Sequence, residues 1–271
     1  MEIDGKLEEL GRILRACGKA AIAFSGGVDS SFLCAAARRE LGDGAMAFTV
    51  VSPFLPASEL RDAVSIAGHI GIRHVLLEIP EIGETVAANP PDRCYLCKKS
   101  YFDAVRDAAH RHGISAVLDG SNTDDEGDYR PGMRALAELG IASPLGEAGL
   151  SKAEIRELSR RFGLPTADKP AFACLASRIP YGERIDAKKL ARIERAEDYL
   201  RSLGLAQVRV RSHGDLARIE VAPGERKLLF SEGLLDEISE KLSSMGFLYT
   251  ALDLAGYRTG SLNASILKAG E

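Results

Sequence analysis

Two groups of residues in this chain are of types and spacings that could do chemistry: a glycine pair flanked by hydroxyls near the N-terminus, and cysteines at 94, 97 and 174. Ser25-Gly26-Gly27-Val28-Asp29-Ser30 follows a short apolar run at 20–24 and precedes a helical pattern through Phe32, Leu33 and Ala36. Consecutive glycines let neighbouring backbone N–H groups turn toward one anion. The start of a helix behind them adds partial positive charge, and Ser30 and Ser31 add hydroxyls. The loop matches neither G-x-x-x-x-G-K-[ST] nor G-x-G-x-x-G, so a Walker loop and a dinucleotide fingerprint are both excluded. The non-catalytic alternative is a tight strand-to-helix turn capped by Asp29.

Cys94-Tyr95-Leu96-Cys97 stands ahead of a helical pattern near 96–112, and Cys174 lies in a Pro-containing, irregular segment at 165–181. A C-x-x-C pair suits redox chemistry, half of a zinc site or an iron–sulfur cluster. Structural zinc needs a fourth ligand, and no His or Cys stands suitably beside either segment. Three thiolates suit a 4Fe-4S cluster with one iron left open; an inert thiol at 174 and a turn-closing pair is the bland alternative. Cys17 and Cys34 fall on apolar helix faces and are expected in the core.

The elements that must position these groups follow from hydrophobic periodicity. Leu7, Leu10, Ile13, Leu14 and Cys17 mark an opening amphipathic helix. Short apolar runs at 20–24, 46–51, 75–79, 116–118 and 141–143 alternate with helical stretches near 57–70, 96–112 and 152–162. That alternation predicts an α/β fold, a parallel sheet with helices on both faces, whose ligands lie outside the carboxyl ends of the strands. Beyond the irregular segment, Leu190, Ile193, Leu200 and Leu203 form a helical stripe. Alternating runs at 208–211 and 216–221, helices near 224–244 and a strand near 247–252 come next. The expected division is 1–181 and a smaller C-terminal α+β domain at 182–271.

The chain has 271 residues, with 35 Lys and Arg against 39 Asp and Glu. Such a chain buries an adequate core without staples, and its net charge of −4 argues against a general polyanion binder. There is no run of 18 apolar residues, and the acidic start Met1-Glu2-Ile3-Asp4 does not suit a signal peptide. Five cysteines, an odd number, do not suit a disulfide framework, so a cytoplasmic, reducing setting without membrane partners is expected.

In the second domain Glu197 interrupts an apolar stripe, four residues after Ile193 and three before Leu200. It is expected to be partly buried and either to ligate a cation or to pair, for instance with Arg201. A two-residue hairpin through His213-Gly214 would place Arg209 opposite Arg218, with Arg211 on the same face. An anion between such like charges would relieve their repulsion, and a substrate phosphate fits that role.

Ala23-Phe24-Ser25-Gly26-Gly27-Val28-Asp29-Ser30-Ser31 resembles the PP-loop of the ATP pyrophosphatases, and Leu118-Asp119-Gly120-Ser121-Asn122-Thr123-Asp124-Asp125 resembles that superfamily's second, G-x-N-x-D-D-like element. With Pro170-Ala171-Phe172-Ala173-Cys174-Leu175-Ala176-Ser177-Arg178-Ile179-Pro180-Tyr181-Gly182, the run 208–221 and Leu252-Asp253-Leu254-Ala255-Gly256-Tyr257-Arg258-Thr259-Gly260, nearly the whole chain resembles the LarE family of ATP-dependent sulfur transferases. The resemblance implies adenylation of a carboxylate of pyridinium-3,5-biscarboxylic acid mononucleotide and its conversion to a thiocarboxylate. That step leads toward the nickel-pincer nucleotide cofactor of lactate racemase.

The resemblance implies ATP and Mg²⁺ held by Ser25, Gly26, Gly27, Asp29, Ser30, Gly120 and Asn122; Arg178, near Cys174 in sequence, is a further phosphate candidate. It implies Arg209 and Arg211 on the substrate phosphate, and Glu197 and Glu220 on a divalent cation. Cys174 either gives up its own sulfur or joins Cys94 and Cys97 around a 4Fe-4S cluster, and the C-x-x-C places this chain with the cluster type. A homo-oligomer, a hexamer by resemblance, and a small nucleotide substrate rather than nucleic acid complete the expectation. The rivals are a PP-loop tRNA thiolase or amidating ligase, and a non-catalytic adenine nucleotide sensor.

Overall fold

The computed structural model describes residues 2–125, 131–170 and 173–258. Ala171 and Phe172 of the cysteine segment, and Thr259 and Gly260 of the terminal one, lie outside the described residues. The chain divides into two compact units, Met1–Glu81 with Asp92–Phe172 and Ile82–Pro91 with Ala173–Glu271. The division thus falls at 172/173 rather than at 181/182, and ten residues preceding the C-x-x-C helix belong with the C-terminal unit.

The first unit runs α1 (Ile3–Cys17), β1 (Ala20–Ala23), α2 (Val28–Leu41), β2 (Ala45–Val51), α3 (Ala57–Ile70) and β3 (Arg73–Glu78). Its four strands are parallel in the order β3-β2-β1-β4, where β4 is Ala116–Leu118. Side chains of β1 alternate between two apolar clusters. Ala20 and Ile22 pack with Leu10, Phe32, Leu33 and Ile155, and Ala21 packs with Phe102, Val105 and Ala109. That period of two puts helices on both faces, as the sequence predicts. The run at 141–143 makes one parallel bridge, Leu118 to Ala142, instead of a full strand.

The chain departs from β1 toward β2 and β3 on one side and reaches β4 on the other. The strand order therefore reverses between β1 and β4, and the glycine loop and the 119–125 segment both leave from carboxyl ends at that point.

The second unit begins with the short helix α4 (Glu84–Ala87), its chain returning after α5 (Arg93–Arg111), α6 (Pro131–Leu139), α7 (Pro144–Glu147) and α8 (Lys152–Arg161) of the first. It continues with a 3₁₀ turn at Leu175–Arg178, α9 (Ala187–Ser202), β5 (Val208–His213), β6 (Leu216–Val221), α10 (Glu232–Ser244) and β7 (Tyr249–Leu252). β5 and β6 are antiparallel, and β6 and β7 parallel.

Asn89 explains why Ile82–Pro91 belongs here. It is fully buried in the left-handed region at φ 57°, which Asn tolerates better than most residues. Its Nδ2 donates to the carbonyls of Pro180 (2.6 Å) and Glu183 (3.0 Å), while its own carbonyl accepts from the Gly182 N–H (2.9 Å). Asn89→Ala strands those carbonyls inside the unit and keeps the strained backbone. Urea unfolding is expected to show a loss of about 2–3 kcal/mol.

Candidate functional site

In the first unit the loop after β1 is drawn tight by its own hydroxyls. Ser30 Oγ lies 3.1 Å from Ser25 Oγ and donates to Gly27 O at 3.3 Å, and the Gly27 N–H reaches Ser25 Oγ at 3.4 Å. These are long hydrogen bonds that phosphate oxygens can replace. Gly26 has φ 72°, and a Cβ there would meet the Ala63 backbone of α3 at 3.1 Å. Asp29 is not a cap: Gly27 is the N-cap of α2, and Asp29 stands inside its first turn.

Opposite the loop, Gly120 comes so close that a Cβ would lie 3.1 Å from Ser30 N, so a side chain there would press the two segments apart by a few tenths of an ångström. Asn122 Nδ2 donates to Asp29 Oδ1 at 3.4 Å. The segment is held by its own carboxylates, Asp119 accepting from the Ser121 N–H (2.8 Å) and Asp125 from the Asn122 N–H (3.0 Å). Ser25, Gly26, Gly27, Asp29, Ser30, Gly120 and Asn122 are thus brought together.

Sequence reasoning missed Lys152. It opens α8 behind the Ser151–Glu154 capping box, donates its backbone N–H to Asp124 (2.9 Å), and its ammonium is ion-paired with Asp29. Burial pushes the Asp29 carboxyl up, and Lys152 offsets part of that rise. A loop with no cation of its own therefore receives one from a distant helix start. The available signal was the capping pattern Ser-x-x-Glu at 151–154, which fixes where that helix begins.

Cys94 and Cys97 lie within the first turns of α5 rather than ahead of it, because the helix starts at Arg93. At i and i+3 they share one face, near a helix N-terminus that favours thiolates. Cys94 is exposed and Cys97 half-buried. Cys174, in the second unit, is exposed immediately before the 3₁₀ turn. Accessible thiols of this kind suit a thiolate-ligated group. Cys34, by contrast, is sealed in the core, where burial pushes its thiol up; burial does the same, less strongly, to Cys17. Among the described residues no three His, Cys, Asp or Glu side chains are grouped as ligands of a single ion.

In the second unit, Glu197 is fully buried, at 1% exposure, where partial burial is expected from the sequence. Its Oε1 accepts from Arg178 Nε (2.8 Å) and the Val210 N–H (3.0 Å), and its Oε2 from Arg178 Nη2 (3.0 Å) and Arg201 Nη2 (2.8 Å). Burial alone would raise this carboxyl, but the charge and hydrogen bonds of Arg178, with Arg209 and the Val210 N–H, hold it below the ordinary carboxylate range. Arg178 is therefore not placed as a nucleotide ligand. It is fully buried within its own unit, and its donors are committed to Glu197, the carbonyls of Ala173 and Cys174, and Ser177 Oγ.

The hairpin turns through Gly214-Asp215, one residue later than expected. Arg209 consequently faces Glu220, and Arg211 faces Arg218. The anion relieving the Arg211–Arg218 conflict is the chain's own Glu220. It accepts from Arg211 Nη2 at 2.8 Å and lies 3.2 Å from Arg218 Nη1. A divalent cation on Glu197 and Glu220 would have to displace these guanidinium contacts. Arg209 lies with its guanidinium 5.2 Å from the centroid of the Tyr257 ring. Burial and the neighbouring Arg178 press it below its ordinary pKa, which an added anion would reverse.

Pyridinium-3,5-bisthiocarboxylic acid mononucleotide synthase of Lactiplantibacillus plantarum is 37% identical to this chain over 252 residues, covering 92% of this chain and 90% of that enzyme. The chain belongs to the LarE family. A Synechocystis protein of uncharacterized function is 46% identical over 267 residues, 98% of this chain and 100% of its own. Residues 9–124 match the asparagine synthase family model. The tRNA-specific 2-thiouridylase of Pelobacter propionicus is 31% identical over 186 residues, 56% of this chain and 52% of its own. LarE membership makes the chain an ATP-dependent sulfur-transferring enzyme, and the sensor alternative falls. Among the described residues no helix is long and apolar enough to cross a membrane.

Two outcomes follow from this geometry. Lys152→Met is expected to weaken ATP binding about tenfold, roughly 1.4 kcal/mol by calorimetric titration. Glu197 has a depressed folded pKa, so its contribution is complete above the unfolded value of about 4.3 and is lost as pH falls through the folded one. Glu197→Gln is expected to flatten the acid limb of stability against pH while lowering stability at neutrality.

Proposed function

We propose that this enzyme adenylates a carboxylate of pyridinium-3,5-biscarboxylic acid mononucleotide and converts it to a thiocarboxylate. The observation that carries this reading is the meeting of the glycine loop, Gly120, Asn122 and Lys152 around Asp29 at the β1/β4 crevice, in a chain that matches a synthase named for the bisthiocarboxylic acid product over 92% of its length.

Ser25, Gly26, Gly27 and Ser30 hold the β- and γ-phosphates of ATP through N–H groups and hydroxyls, and Asp29 faces Mg²⁺. A substrate carboxylate oxygen attacks the α-phosphorus while the bond to the β-phosphate oxygen breaks, giving an acyl-adenylate and pyrophosphate. Donors already fixed in place stabilise the charge that develops on the phosphate oxygens. Arg209 and Arg211 take the substrate phosphate, and the depressed Arg209 supports that role because a dianion restores its proton affinity. A sulfur nucleophile then attacks the acyl carbon and AMP leaves with the electron pair of the C–O bond.

Cys94, Cys97 and Cys174 would hold a 4Fe-4S cluster, which when bound supplies an open iron able to carry a sulfide. The alternative donor is the Cys174 thiolate itself. After it forms a thioester, loss of the Cys174 Cα proton and cleavage of its Cβ–S bond leave the sulfur on the substrate and dehydroalanine on the chain. The reading carries with it a cytoplasmic homo-oligomer acting on a small nucleotide.

Anaerobic reconstitution is expected to give about four irons per chain, and Cys94→Ala, Cys97→Ala and Cys174→Ala should each abolish the brown absorption. Intact-mass measurement after turnover separates the donors: a loss of about 34 Da at Cys174 identifies its own sulfur as the one transferred. Absence of pyrophosphate release with this substrate overturns the proposal.

A further inference from the structure

Arg178 is a fully buried guanidinium whose two edges face in different directions. Nε and Nη2 grip Glu197 at 2.8 and 3.0 Å, while Nη1 donates to the carbonyls of Ala173 (2.5 Å) and Cys174 (3.0 Å) and to Ser177 Oγ (2.9 Å). The Cys174 carbonyl also accepts from the Ser177 hydroxyl at 2.8 Å and the Ser177 N–H at 3.0 Å. Its peptide is therefore fixed by three donors although its thiol is exposed.

The other end of the pair reaches the arginine strand. Glu197 Oε1 takes the N–H of Val210, the residue between Arg209 and Arg211, and Arg211 Nη1 donates to Ser177 O at 2.8 Å. The cysteine turn and β5 are thus tied at two points, both dependent on planar forks that a lysine cannot reproduce.

We propose that Arg178 is the positioning residue of the sulfur-transfer step, setting the place of Cys174 relative to Arg209 and Arg211. The proposal rests on the reading of Cys174 as a sulfur-handling residue. A donor displaced by about 1 Å loses on the order of 10²-fold in rate, and adenylation, which occurs before sulfur moves, does not depend on it.

Arg178→Lys keeps a cation beside Glu197 and removes the fork. At saturating pyridinium-3,5-biscarboxylic acid mononucleotide, the variant is expected to release pyrophosphate at the wild-type rate while thiocarboxylate formed per pyrophosphate falls about 10²-fold. Leu242→Ala, which opens a cavity elsewhere in the same unit, should lower the unfolding midpoint and leave that ratio unchanged. An unchanged ratio in Arg178→Lys, or an equal fall in Leu242→Ala, overturns the proposal. Hydrogen exchange of the amides at 174–178 gives a second test that needs no substrate. It should quicken at least about tenfold in Arg178→Lys, with β6 unaffected, and unchanged exchange overturns the proposal. Wild-type protein that releases no pyrophosphate sinks the substrate assignment instead, and the exchange comparison still decides whether Arg178 holds the turn.

Discussion

The second unit is organised around one carboxylate. Glu197 lies in the apolar stripe of α9, where an ionised group is costly unless its lone pairs are filled, and the chain fills them with Arg178, Arg201 and the Val210 N–H. Those partners come from a turn, a helix and an edge strand. Among the described residues β5 lies at the edge of its sheet, so its outward Val210 N–H needs a partner. Glu197 supplies one. A buried ion pair of this kind adds little net stability compared with apolar residues of the same volume. Its value lies in geometry, because only one arrangement of the three elements satisfies it.

The first unit uses backbone approach where the second uses charge. Parallel strands bring two loops to the same end of the sheet, and the absence of a side chain at Gly120 lets the second loop lie against the start of α2. Asp29 is then met from two sides, by Asn122 and by Lys152. The acidic residues at 119, 124 and 125 serve mainly as internal acceptors for backbone N–H groups. The net negative charge of the chain is thereby compatible with an anion site: the carboxylates are spent on loop geometry, and the Lys152 ammonium stands beside Asp29.

Much of this was legible in the sequence because it depends on local pattern. The parallel sheet followed from short apolar runs, the glycine loop from its own residues, and the burial of Glu197 from its place between Ile193 and Leu200. What was hidden depends on pairing across long separations. Lys152 lies 123 residues from Asp29, and nothing near either names the other. The hairpin register was misplaced by one position because the same stretch offers a two-residue turn at His213-Gly214 or at Gly214-Asp215; the structure pairs His213 with Leu216 and so uses the second. Arg178 read as a phosphate ligand because its neighbour in sequence is the cysteine turn. Its burial beneath that turn is a tertiary fact. The unit boundary moved for the same reason: Asn89 looks like loop composition until its amide is seen to donate to Pro180 and Glu183.

The arginine cluster bears on how a phosphorylated substrate would be received. Arg211 and Arg218 already share Glu220, and Arg218 is also ion-paired with Asp253, so most of the positive charge on that face is balanced within the chain. His213 accepts from Arg218 Nε and is held neutral, first by burial and then by that charge, so it adds no further cation. Arg209 differs. Its guanidinium donates to the Val208 carbonyl and lies over Tyr257, and burial, with Arg178 nearby, presses its pKa down. The charge of the cluster is thus set locally, by carboxylates and carbonyls of the chain itself, rather than by a surplus of positive charge. Such local balancing is compatible with a chain of net charge −4.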